Sequence, residues 1–420
     1  MTAAVVGNAL ECYDFLTYAF FAAAIGHAFF PAKTPFISLM ISLSTFGAGF
    51  LTRPLGALLL GLMADKVGRK PAMMLSFSLM GVTMLMMAAT PTYAQIGWIA
   101  PVIVVATRLI QGLSVGGEIG VATTYLVEAA APGRRGFTGA WQYATQGVAT
   151  LVAGMLGLGL TRMLGTDAVT DWGWRIAFLA GAILLPIGIL IRRDLPETLH
   201  EAEPHVGPTK TQWRVIVLGM MIVVSSTVQF YILNFMTTYA GSILHMKANI
   251  SFAAPVVNGL STIVFSLGAG ALSDRFGRKP LMLWPRVLLM LATWPAFAFA
   301  AAHRDAPSLL LATLVLSAFG QAAAAAGLVS VTESLPKPVR GTSLAMLYAC
   351  AVAVMGGITQ PMVTWLIHQT GDVLWPAWWL IAASGVGVAA ALLMRETAPG
   401  VGKESTTKHT KSTKGAQPAA

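Results

Sequence analysis

Residues 61–70 read GLMADKVGRK, and residues 270–279 read GALSDRFGRK. Both fit G-x-x-x-D-[K/R]-x-G-R-K, and the copies start 209 residues apart in a chain of 420. A second pair follows in the same order, EAAAPGRRG at 128–136 and ESLPKPVRG at 333–341. Two ordered motifs recurring at nearly one offset mark an internal duplication. Each basic cluster lies between long apolar runs, so the motifs read as short loops joining hydrophobic segments.

The composition says what surrounds those segments. Hydrophobic residues make up 56% of the chain and charged residues 10%, and the mean hydropathy is +0.70. A soluble domain carries about 25% charged residues. This chain has too little polar surface to face water, so its main solvent is lipid. Only helices and closed barrels satisfy every backbone group there. Barrel strands would alternate apolar and polar over about ten residues. The runs here, such as 97–127 and 377–394, are continuous, which predicts helices.

At roughly 20 residues per crossing there are about twelve spans: 3–29, 36–62, 72–90, 97–127, 138–163, 174–191, 215–241, 251–272, 281–301, 307–331, 342–367 and 377–394. The expected fold is an all-α integral membrane bundle of two six-helix halves. The expected organisation is 1–191 for the first half, 192–214 for a central loop, 215–394 for the second half and 395–420 for a disordered basic tail. Parallel repeats of this kind suit a fold that rocks around a midplane site.

Loop charge sets an expected orientation. Even-numbered loops and the tail are rich in Lys and Arg, whereas the other side has only Lys33, Arg162, Lys247 and Arg304. This distribution predicts both termini in the cytoplasm. The net charge of +10 is therefore a topology signal, and no nucleic-acid partner is expected. The first segment is no cleavable signal, because Glu11 and Asp14 interrupt it. Cys12 and Cys350 read as small buried hydrophobes, and no metal spacing or cofactor motif is present.

The loop motif resembles the signature of the major facilitator superfamily. Four further segments narrow the resemblance: GNALECYDFLTYAFFAAAIGHAFFP (7–31), FGAGFLTRPLGALLLG (46–61), RLIQGLSVGGEIGVATTYLVEAAAPGRRG (108–136) and WGWRIAFLAG (172–181). These look like the metabolite–proton symporter branch, most of all its bacterial citrate and tricarballylate transporters. Close relatives in that branch carry osmolytes such as proline and betaine, shikimate or 2-oxoglutarate. The resemblance implies a multi-pass protein of the bacterial inner membrane, monomeric in the lipid bilayer, with a small carboxylate and protons as its partners. It also implies that spans 1, 4, 7 and 10 line a central cavity. Family members begin with a short basic leader, whereas the first span here starts almost at Met1.

Charges inside spans cost about 2.5–3.5 kcal/mol each at a helix centre, so those that persist need a partner or a polar path. At 100° per residue, Arg108, Gln111, Glu118 and Tyr125 share one face of span 4, while Asn8, Glu11 and Asp14 share one face of span 1. Span 7 adds Tyr231 and Asn234, and span 10 adds Gln321. Arg108 is the expected carboxylate ligand, because a guanidinium stays charged and binds bidentately. Asn8, Gln111, Tyr125, Tyr231, Asn234 and Gln321 are the other expected substrate contacts. Glu118, Glu11 and Asp14 are the expected proton carriers, and Glu118 or Glu11 is the alternative structural partner for Arg108. Arg53 and Arg286 read as packing or snorkelling residues.

The repeated motifs suggest a conformational gate. Asp65 and Asp274 can accept from helix N-termini, Arg69 and Arg278 can bridge to Glu128 and Glu333, and Gly61, Gly68, Gly270 and Gly277 permit close approach and tight turns. No nucleotide loop, H-E-x-x-H or G-x-S-x-G occurs, so no catalytic residue is expected and the chain reads as a transporter rather than an enzyme. A transport-deficient sensor is the reading from another class, and the short loops leave no room for a signalling domain.

Overall fold

The structure is a computed structural model that describes residues 2–115, 118–131, 133–193, 210–336 and 340–398. Twelve spans are recognisable. In chain order they are α1 (Thr2–Phe20 and Ala22–Phe29), α2 (Pro35–Leu51 and Arg53–Lys66), α3 (Arg69–Ala89), α4 (Ile99–Val115 and Glu118–Glu128), α5 (Arg135–Leu164) and α6 (Trp174–Arg193). The second half follows with α7 (Lys210–Thr238), α8 (Ala253–Phe276), α9 (Arg278–His303), α10 (Ala306–Ser334), α11 (Arg340–Ala351 and Gly357–Thr370) and α12 (Trp375–Leu393). Among the described residues nine helices are long and apolar enough on their own to cross a membrane.

Two breaks position the site, and proline accounts for both. Pro54 has no N–H to give the Phe50 carbonyl, so α2 interrupts at Thr52. The Thr52 hydroxyl donates to Leu109 O of α4 at 2.8 Å, and Arg53 is held at the interruption. In α11, Pro361 likewise cannot pair with the Gly357 carbonyl. One turn earlier the helix widens into a π turn over Val352–Gly356, a distortion common at functional sites.

The halves meet along α5 and α8, and again where α2 and α4 face α11. The α5–α8 seam needs glycine. A Cβ on Gly147 would lie 2.9 Å from Gly259 O, and one on Gly259 would lie 2.7 Å from Gly147 O. At the end away from the repeated loops, Phe36 of α2 stacks on His368 of α11 with ring centroids 3.7 Å apart. Phe21 meets Phe252 there at 5.1 Å. Trp174 is fully buried between Phe29 and Phe178.

The tail expected to begin at 395 starts with an ordered segment. Glu396 accepts from the backbone N–H groups of Arg278 and Lys279 at 2.8 and 2.9 Å, capping the N-terminus of α9. Burial raises its carboxyl, but backbone amides of Ala398, Arg278, Lys279 and Thr397 outweigh this and hold it below the usual range. A carboxylate lowered on folding stabilises above its unfolded pKa, and that stability is lost as pH falls through the folded value. Glu396→Gln should therefore lower Tm at neutral pH by the equivalent of about 1 kcal/mol. The Tm difference from wild type should close on acidification below the ordinary carboxylate range.

Candidate functional site

A cavity of about 40 Å³ lies between the halves. Its wall is made by α1, α2, α4, α5, α7 and the π turn of α11. Two ionisable side chains reach it, Glu11 of α1 and Arg53 of α2. Arg53 is 6% exposed, and its guanidinium carbon sits 4.3 Å from the ring centres of both Phe15 and Phe50. Two aromatic faces hold the cation in one plane without neutralising it. Tyr231 closes the group, on the cavity wall beside Arg53 and edge-on to Phe50 at 5.4 Å.

Of the residues singled out in the sequence, Glu11, Tyr231 and Asn234 line this cavity. Asn234 donates to Phe230 O at 2.8 Å and accepts from Asn258 at 3.3 Å, which fixes its amide. Arg53, read in sequence as a packing residue, is the cavity's cation. The signal for it was the Arg-Pro pair in mid-span, since a proline break leaves a side chain at a widened point of the helix. Tyr143, Gln146, Ser226 and Tyr348 also line the wall and were not anticipated.

Arg108 is off the wall. It is fully buried within the first half, where Nη2 lies 3.8 Å from Asp14 Oδ1 and the guanidinium carbon is 4.7 Å from the Tyr18 ring centre. Among the described residues its acidic partner is Asp14. The pair makes no hydrogen bond among the described residues.

Asn8 also leaves the substrate set. Its amide donates to Gln142 O and Thr145 Oγ1 and accepts from Gln142, clamping α1 to α5. Gln111 and Gln321 are buried away from the wall. Tyr125 is 51% exposed and is not on the wall. Span 10 gives no wall residue, whereas α2, α5 and α11 do. The side chain of Glu118 lies outside the described residues.

The second loop motif is a cross-half contact. Asp274 accepts from Gly136 N at 2.7 Å and Phe137 N at 2.9 Å, at the N-terminus of α5, where the helix dipole favours an anion. Arg278 joins Asp274 at 2.8 Å and Glu333 at 3.2 Å, and Thr397 adds a hydrogen bond to Glu333 at 2.8 Å. Gly277 has φ +101, a conformation that favours glycine, and it turns the chain into α9. Gly270 lets α8 approach α5, since a Cβ there would lie 2.6 Å from Ala140 Cβ. Glu128 pairs with Arg340 at 2.9 Å, tying α4 to α11. In the first copy, Gly68 takes φ +125 before α3, and the surroundings of Gly61, Asp65 and Arg69 lie outside the described residues.

Comparison with known proteins places this arrangement. The family model for "Sugar (and other) transporter" matches residues 1–203, and that for "Major Facilitator Superfamily" matches residues 218–418. A citrate–proton symporter of Salmonella typhi is 36% identical over 92% of this chain and 92% of its own. One from Klebsiella pneumoniae is 38% identical over 91% of this chain and 88% of its own. Among solved structures, the proton:xylose symporter bound to 6-bromo-6-deoxy-D-glucose matches with a TM-score of 0.72 over 94% of this chain and 95% of that one, at 18% identity. Duplicated halves, a cavity between them, a repeated loop at one end and these relatives agree: the chain belongs to the major facilitator superfamily.

Proposed function

We propose that the protein is a proton-coupled symporter for a small carboxylate of the citrate or tricarballylate class, working by alternating access. The observation that carries this reading is a cavity between the halves whose described wall brings a guanidinium, Arg53, and a carboxyl, Glu11, together. Relatives of high coverage that are citrate–proton symporters support the substrate class. The setting is the bacterial inner membrane, with both termini cytoplasmic and a single chain as the working unit.

The coupling follows from charge. A substrate carboxylate meets Arg53, whose aromatic neighbours keep the fork oriented. Protonating Glu11 removes a negative charge from the same wall, so proton and anion bind with positive cooperativity. That cooperativity is reciprocal. Asp14 and Arg108 form the second ionisable element. Arg108 favours the charged form of Asp14, and a movement between α1 and α4 that separates them removes that support and makes proton uptake easier. Asp274, Arg278, Glu333 and the Arg340–Glu128 pair act as the latch of the cytoplasmic end.

In proteoliposomes a pH gradient alone should drive carboxylate uptake, and a protonophore should abolish it. Full uptake on a sodium gradient at equal pH would exclude proton coupling.

The latch is tested at Asp274. Asp274→Asn replaces a charged acceptor of two backbone N–H groups with a neutral amide, at a cost of about 1–3 kcal/mol in the cytoplasm-closed state. That shifts the conformational equilibrium roughly five- to 150-fold. Turnover should fall while equilibrium substrate affinity stays within a few-fold. Lost binding with a normal exchange rate would refute the latch.

A further inference from the structure

A second cation is buried beside the cavity, on the other half of the molecule. Arg286 of α9 is 1% exposed. Its guanidinium donates to the hydroxyls of Ser225 and, at 2.9 Å, Ser226, both on α7. Its Nε makes no hydrogen bond, and among the described residues no carboxylate lies within ion-pair distance. Room for it is built in: a Cβ on Gly387 of α12 would lie 2.6 Å from Arg286 Cδ.

A guanidinium buried among neutral groups is costly, and a leucine or methionine would fill the space without that cost. The charge therefore needs another explanation, and its neighbours supply one. Ser226 and Tyr143 both line the cavity, Ser226 accepts from Arg286 at 2.9 Å, and Tyr143 stands near both. The cavity thus has a cation on each side. Arg53 reaches it directly from the first half, and Arg286 of the second half stands behind Ser226 of α7 and Tyr143 of α5.

We propose that Arg286 is the positioning cation of a second carboxylate subsite, formed at the wall by Ser226 and Tyr143. The substrate is then a polycarboxylate, with one carboxylate on Arg53 and another on the Ser226–Tyr143–Arg286 group. This rests on the carboxylate reading above and goes further, since it requires two negative groups on one molecule. Such a ligand links Arg53 of the first half to Arg286 of the second through its own carbon skeleton, whereas a monocarboxylate engages one of the two cations and leaves the other without an anion.

The test compares purified wild type with Arg286→Gln by titration calorimetry, using propane-1,2,3-tricarboxylate, glutarate and butyrate, and records Tm without ligand. Wild type should favour the first two over butyrate by ten-fold or more. Arg286→Gln should lose about ten- to a hundred-fold for those two and change butyrate by less than about two-fold. Its ligand-free Tm should equal or exceed that of wild type, because an unpaired buried charge has been removed. Arg286→Lys keeps the charge without the planar fork and should lie between them, and it carries the test if the glutamine variant is not recovered. An unchanged affinity for the tricarboxylate overturns the proposal, as does an equal loss on all three ligands with a lowered Tm. Wild-type protein that binds none of the three overturns the carboxylate reading and this subsite with it. Wild-type preference that survives in the variants overturns the subsite alone.

Discussion

Arg53→Ala should reduce carboxylate affinity by about 30-fold to several thousand-fold, the equivalent of about 2–5 kcal/mol for removing one partner of a buried charge pair. The side chain is the cation on the cavity wall and packs against two aromatic rings. Arg53→Lys should also lose affinity, because an ammonium offers a point charge and no planar fork to a carboxylate. The lost hydrogen bond to a charged group sets that loss at about 1.5–3 kcal/mol. Calorimetry on purified protein reads both, and wild-type affinity in Arg53→Ala would return the residue to a packing role.

The second large effect is expected at Asp14. Asp14→Asn should still bind and exchange substrate but should not accumulate it against a gradient. One coupled proton supports about ten-fold accumulation per pH unit, and the variant should fall to no accumulation at all. The substitution also leaves Arg108 buried without its counter-ion, which costs about 3–5 kcal/mol. The double variant Asp14→Asn with Arg108→Gln should recover stability without recovering accumulation, and that separates coupling from folding. If Asp14→Asn accumulates substrate as wild type does, Glu11 alone is the carrier.

The architecture was readable because duplication and hydropathy are properties of the chain itself. The repeated Asp predicted an acceptor at a helix N-terminus, and Asp274 is one at α5. Site residues were harder because periodicity gives a face but not what the face meets. On α1 the single polar arc divides: Glu11 turns to the cavity, Asn8 to α5 and Asp14 to Arg108. Arg108 was the obvious anion ligand because nothing in a sequence reveals that a partner 94 positions away will face it. Arg53 was overlooked for the opposite reason, since a proline kink moves a residue off the face that regular helical geometry assigns.

The size of the closed cavity bears on leakage. About 40 Å³ holds a few water molecules and nothing larger than a few heavy atoms. A carrier that resets through so tight a conformation drags almost no solvent with it on the way back. Chloride, acetate and other abundant anions would have to displace aromatic side chains to ride along. Stored gradients are then spent on the cargo, and selectivity is enforced on the return stroke as well as at capture.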